Sequence, residues 1–341
     1  MIIHLLVKEK NDIQMSYLII NSKVLPGYIP PEKDELLSSW IFRLSQSHKI
    51  KPFSFTKFYF KETAFWNRDV DKFIYRTVID QLTKITPLSK DDILNLHLIS
   101  YKDIVFNTPL VVSHTRGITS LGIYHRKRKN YGLLACPKCL RKKYYYKKSW
   151  RLLTSLVCTE CKCHLIDHCP NCNSPIIFQR LDIGDKTNHK NIPIYLCWLC
   201  NFDLRTEFEV VAVDSLIYDY QKYMNECISN GYCLHTQYSF LYIQLLLIIL
   251  GKSKTNSYKW TRVRNAFMIE FNLIDEEFYC KSLETSIQFR RKVIPLIYFL
   301  LNNIPERFIP FCKKYSLRYS DFAKDNESLP FWFYRNFREY Y

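Results

Sequence analysis

Eight cysteines between Cys136 and Cys200 stand in four C-x-x-C pairs: Cys136/Cys139, Cys158/Cys161, Cys169/Cys172 and Cys197/Cys200. Two thiolates two residues apart reach one tetrahedral ion from a tight turn, and two such pairs complete a closed structural zinc site. The spacer from Cys139 to Cys158 has ribbon or finger length, and the longer one from Cys172 to Cys197 still allows pairing. The expectation is two structural Zn2+ ions, one on the first two pairs and one on the last two, with no open position for chemistry. Disulfides would need an oxidising compartment, and a redox reading suits one isolated C-x-x-C better than four in a row. Cys163 is read as a spare buried thiol, as are Cys227, Cys233, Cys280 and Cys312. His164, His168 and His189 are read as surface or neighbouring groups rather than ligands.

A second chemistry overlaps the first. Between Asp103 and Glu160 the sequence has no acidic residue, while Tyr144, Tyr145, Tyr146 and Trp150 are interleaved with a run of cations. Arg126, Lys127, Arg128, Lys129, Arg141, Lys142, Lys143, Lys147 and Lys148 are the candidate nucleic-acid contacts: held on a rigid zinc scaffold, they would meet phosphates while the rings pack on sugars or bases. The blander alternative is a solvated basic surface whose aromatics cover the zinc core. Over the 341 residues, 49 Lys plus Arg against 32 Asp plus Glu give a net charge of +17, which calls for a polyanionic partner, nucleic acid or acidic membrane. The longest apolar run, Phe240 to Leu250, is too short to cross a bilayer, so no membrane partner is expected. No signal peptide is read at the start, and Met15 competes with Met1 as the initiator; a cytoplasmic location is expected, nucleoid-associated if the polyanionic partner is DNA.

The elements that must hold these groups read as mainly helical. Residues 1–24 are taken as an extension and 25–130 as a domain of short helices, helix-turn-helix-like in spacing. Leu36, Leu37, Trp40, Ile41 and Leu44 mark one helix, Phe73 to Ile79 another, and Ser89 with Asp91 and Asp92 the start of a third. Residues 131–207 form the double zinc-ribbon or zinc-finger domain. Residues 208–341 form an all-helical C-terminal domain, with helices expected at Val211–Glu226, Ser239–Leu250, Trp260–Glu270, Thr285–Asn302 and Pro305–Tyr315. The last stretch, Leu317 to Tyr341, pairs a short helix with an aromatic, basic one, a candidate second helix-turn-helix. Gly251-Lys252-Ser253 lacks the earlier glycine of a phosphate-binding loop and is set aside.

Leu25-Pro26 leading into Asp34-Glu35-Leu36-Leu37-Ser38-Ser39-Trp40-Ile41-Phe42-Arg43-Leu44 resembles the opening signature of the TniQ family, target-selection proteins of cut-and-paste transposons. Ala135-Cys136-Pro137-Lys138-Cys139-Leu140, Tyr145-Tyr146, Trp150, Val157-Cys158, Leu165-Ile166 and Cys169-Pro170-Asn171-Cys172 are similar to the same family's zinc region. One departure is Cys161, where the family usually has histidine, and cysteine ligates zinc equally well. The resemblance implies an adaptor that marks an insertion site, on DNA or on a CRISPR RNA-guided complex, and links it to the transposon's AAA+ ATPase (TnsC/TniB-like), with a homodimer among the family's arrangements. The alternative is a free-standing, sequence-specific DNA-binding protein, either an attachment-site binder or a transcriptional regulator. A nuclease or transposase would need carboxylates gathered around metals; the acidic residues are read as scattered over helix faces and first turns rather than as a D-x-D-type set.

Overall fold

The computed structural model describes residues 24–62, 64–110, 115–124, 127–181, 193–254, 261–274, 287–323 and 329–341, with the backbone of two strands at 4–9 and 12–17. Arg126, His189 and Cys280 lie outside the described residues. The expected extension carries an antiparallel pair, β1 (His4–Glu9) and β2 (Asp12–Tyr17), in register from His4 opposite Tyr17 to Glu9 opposite Asp12.

Helices dominate, as the sequence patterning requires. The first four, α1 (Leu37–Ser47), α2 (Pro52–Phe60), α3 (Arg76–Ile85) and α4 (Lys90–Leu96), pack in sequence, each on the next. α4 begins at a reciprocal cap: the Asp92 amide donates to Ser89 Oγ at 3.1 Å, and Ser89 N donates to the Asp92 carboxylate at 2.9 Å. Ahead of α1, Glu35 folds inward and takes hydrogen bonds from Glu32 N, Ser39 Oγ and Arg43. The start of α3 differs from expectation. Phe73, Ile74 and Tyr75 stay outside α3, which starts at Arg76.

The central stretch holds short elements only: β3 (Ile123–Tyr124) with β4 (Lys127–Arg128), α5 (Pro137–Lys142), and β5 (Val157–Cys158) with β6 (Cys163–His164). After it, α6 (Leu216–Asn230) begins five residues later than the apolar pattern of Val211 implies. Val211 N instead donates to Lys162 O at 3.0 Å, tying the lead-in to the β5–β6 turn. Then come α7 (Ser239–Ser253), α8 (Arg262–Glu270), α9 (Ile287–Leu301), a single π turn at Ile304–Phe308, α10 (Ile309–Lys314), α11 (Tyr319–Phe322) and α12 (Phe331–Tyr340). α7 is apolar nearly all round, and accordingly it is buried between α6, α8, α9 and α11. Gly251, Lys252 and Ser253 are its last turn, so no phosphate loop forms there.

One apolar core runs without a break from Leu25 through the cysteine-bearing stretch to Phe337. Among the described residues no helix is long and apolar enough to cross a membrane.

Candidate metal centres and their basic surround

Each C-x-x-C pair sits on a turn that aims both sulfurs the same way. Cys136 is the N-cap of α5: its Sγ accepts from Cys139 N at 3.3 Å, and Pro137 occupies the first turn, where its missing N–H costs nothing. The second pair lies on the β5–β6 hairpin, whose register sets Cys158 opposite Cys163, and the chain reverses at Lys162, φ 51°. The third and fourth pairs repeat one another. Asn173 and Asn201, each directly after the second cysteine, adopt left-handed φ of 57° and 58°. Their amides return to the carbonyls of Cys169 and Cys197 at 2.9 and 3.0 Å. Asparagine tolerates that conformation best after glycine, so C-x-x-C-N is a sequence signal for this turn.

The turns bring the sulfurs into two groups of four, Cys136, Cys139, Cys158, Cys161 and Cys169, Cys172, Cys197, Cys200, each with all four Sγ atoms within 4.8 Å of one another. Cys139 lies 3.6 Å from Cys158 and 3.5 Å from Cys161, and the second group shows 3.6 Å for Cys169–Cys200 and 3.5 Å for Cys172–Cys197. Bonds of about 2.3 Å to a tetrahedral ion give sulfur–sulfur edges of roughly 3.8 Å, whereas a disulfide needs about 2.05 Å. All eight are free thiols, and the donor set fits a metal ion in each group. Left to themselves the sulfurs compete for protons: hydrogen bonding with Cys139 leads an upward pKa shift at Cys136, and burial leads one at Cys169. Cys163, expected as a spare thiol, is buried with its Sγ 3.4 Å from that of Cys136, so it packs on the first group without joining it.

The basic residues are less available than their run in the sequence implies. Lys127 and Lys129 face solvent, but Arg128 between them points inward along the same strand, donating to Ile176 O at 2.9 Å and packing on the Phe178 ring. This corrects the expectation of a surface cation at Arg128: strand alternation puts every second side chain in the core. Burial, with the nearby Arg151, pushes its pKa down to about 10. Arg141 donates to Arg205 O, Lys143 pairs with Glu32 at 2.5 Å, and Lys147 pairs with Glu160 at 3.0 Å. Lys148 is bound to Asn95 O and to Ser100 Oγ. Lys142 is exposed.

The acids that the central run lacks come from the lead-in to α1 and from the link between α2 and α3. Arg151, 0 % exposed, is gripped by Asp69 at 2.6 Å and reaches Asp71 at 3.4 Å. Asp71 also accepts from Ser38 N and Ser38 Oγ, both at 2.8 Å. Burial works against the charge on Asp69, but the guanidinium outweighs it and holds that carboxyl below its ordinary range. Asp71, buried and facing Asp69, is pushed up to about 6. Asp34 takes the Ser149 hydroxyl at 2.6 Å, and Leu36 N donates to Tyr146 O at 2.9 Å. Asp69-Val70-Asp71 is thus a D-x-D pair, not part of a scatter of acids over helix faces, and its counter-charge is Arg151. The D-x-D spacing itself was readable in the sequence; its pairing with Arg151 was not.

The fold and these two thiol groups define a mainly helical protein whose N-terminal helices are bolted onto a four-cysteine knuckle. Residues 26–165 match the TniQ family, which bears out the resemblance read from the sequence and places this part of the chain in that family. The match takes in α1 through β6 and the first thiol group, and it ends before Cys169. No curated protein matches the chain.

Proposed function

We propose that this protein is a non-catalytic adaptor of a transposon that links recognition of a target, DNA or a CRISPR RNA-guided complex, to the AAA+ ATPase that recruits the transposase. The observation that carries the reading is the TniQ match over 26–165, a family tied to transposition and target selection. Such a role needs a rigid platform, and the interlocked Asp34, Glu35, Ser38, Asp69 and Asp71 with residues 146–151 supply one. Zn2+ held by Cys136, Cys139, Cys158 and Cys161, and by Cys169, Cys172, Cys197 and Cys200, would supply two closed crosslinks with no position left for substrate. In this reading the helices of residues 25–130 offer a helix-turn-helix-like protein surface, and 131–207 with the preceding strand at Lys127–Arg128 the nucleic-acid contact. Residues 208–341 brace both. Among the described residues, Lys127, Lys129 and Lys142 are the candidate cations left for phosphate.

The test joins three measurements on the purified chain: zinc content, salt-titrated binding to duplex DNA, and co-purification with the ATPase encoded beside it. Two zinc ions per chain, weak sequence-independent DNA binding and a stable ATPase complex support the adaptor. Tight binding to one sequence, about a thousandfold above random DNA, without any ATPase complex would replace it with a free-standing DNA-binding protein.

A further inference from the structure

The C-terminal helices carry a surface that the proposed function leaves unused. On α12 and its C-cap, Tyr334, Phe337, Arg338 and Tyr341 recur at i, i+3, i+4 and i+7 and so form one stripe. With Arg318 and Tyr319, at the start of α11, they line a cleft of about 330 Å3.

The floor of the cleft is fixed. Phe337 is 6 % exposed, and behind it the Phe322 and Phe333 rings meet with centroids 5.9 Å apart. Phe337 stacks on Tyr341 at 4.6 Å, and Tyr319 meets Tyr334 edge-on at 5.4 Å. The walls stay open: Tyr334 and Tyr341 keep 40 % and 44 % of their surface in solvent. Arg318 and Arg338 are both exposed. Among the described residues the nearby acids are committed elsewhere. Glu339 faces Arg335 at 3.8 Å, while Asp321 accepts the Arg318 backbone N–H at 2.7 Å and lies 4.0 Å from Arg262. Among the described residues neither Arg318 nor Arg338 is held by a carboxylate through its guanidinium.

Exposed rings set between two uncommitted guanidiniums match one ligand chemistry, a flat base joined to a phosphate. A duplex already stacks both faces of every base, so only a splayed-out, unpaired base can enter a concavity of this size. An acidic peptide would use the arginines but leave the rings idle. We propose that this cleft binds an unpaired nucleotide of single-stranded nucleic acid, the base on Tyr334 and Tyr341 and the flanking phosphates on Arg318 and Arg338. The inference goes beyond the proposed function, since it depends on neither the ATPase nor duplex contact by the central stretch.

The experiment is a fluorescence-anisotropy titration of the full chain against labelled oligothymidylate, oligouridylate and a blunt duplex of equal length. Tyr334→Ala should weaken single-strand binding by between about fivefold and about a hundredfold, the range of base–aromatic stacking measured by alanine substitution, and Arg318→Ala and Arg338→Ala should each weaken it and lower its salt dependence, as loss of a phosphate contact does. Duplex binding should change less than about twofold, and Tyr334→Phe, which keeps the ring, should behave as wild type. A preference for one strand chemistry tells DNA from RNA and supports the site either way. Unchanged single-strand affinity in all three variants, or equal losses on duplex and single strand, would overturn it. So would displacement of the strand by polyglutamate as easily as by unlabelled strand. Wild-type protein that binds duplex but no single strand overturns this inference and leaves the adaptor reading standing; protein that binds neither overturns both this site and the duplex contact of the central stretch.

Discussion

His97 is 4 % exposed, and its Nδ1 accepts the Ile99 amide at 3.0 Å, which fixes the ring as the neutral Nε2–H tautomer. Burial, reinforced by Lys148 and Arg151 and opposed by Asp69, pushes its pKa from 6.5 down to about 4. Between those values the unfolded chain binds a proton that the folded chain refuses, so this contribution to stability is whole above pH 6.5 and is lost as pH falls towards 4. Glu35, raised to about 7 chiefly by burial, and Asp71, raised to about 6, have the opposite sign: their contribution shrinks as pH rises through 4 to 7. Comparing wild type with His97→Gln isolates the histidine. In urea melts, the gap between the two should change by about 2 kcal/mol from pH 7.5 to pH 5, wild type losing more. A pH-independent gap would mean that the folded protein protonates His97 as readily as the unfolded chain does. Arg151 is a starker case, because Arg151→Ala leaves Asp69 and Asp71 buried without a counter-charge. A loss of about 3–5 kcal/mol in the same melts is expected, and a loss below about 1 kcal/mol would show that water reaches the pair.

Among the elements, the cysteine turns carry the sharpest expectations. Cys197→Ser should lower bound zinc from two ions per chain to one, read by atomic absorption, while the first group keeps its ion; retention of both would remove the second site. Asn201 stands at φ 58°. Asn201→Gly should therefore be tolerated, whereas Asn201→Val, β-branched in a left-handed position, should cost about 1–2 kcal/mol in a chemical melt. These turns were legible in the sequence because ligand spacing is local: C-x-x-C reads the same whatever packs around it. Helix type was legible for the same reason, and α7 and α4 fall where their apolar runs and Ser89 cap put them. What was not legible is long-range. Val211 looks helical by composition, yet pairing with Lys162 claims its backbone first. The basic run looked free because its carboxylate partners, Glu32, Asp69 and Asp71, lie far away in sequence, and Arg128 looked exposed because a two-residue strand gives too little alternation to detect.

At the level of the molecule, the charge of +17 is not spread as the sequence suggests. Much of the central basic run is engaged by acids or carbonyls, which leaves Lys127, Lys129 and Lys142 as the exposed members without such a partner among the described residues. Replacing these three by alanine should lower duplex affinity alike for all sequences. The slope of log affinity against log salt should fall by roughly 0.9 for each phosphate that is no longer neutralised. An unchanged slope would move duplex binding elsewhere on the surface. Lys143→Ala and Lys147→Ala, whose ammonium groups are already paired, should change that slope much less.

The Arg151 clasp also dictates an order of events during synthesis. Asp69 and Asp71 emerge from the ribosome long before the guanidinium that neutralises them, and Asp34 precedes Ser149 by a still longer interval. Until the cysteine-bearing stretch has been translated, the N-terminal helices lack the partner that makes their buried carboxylates tolerable. The clasp can therefore close only once the middle of the chain has been made.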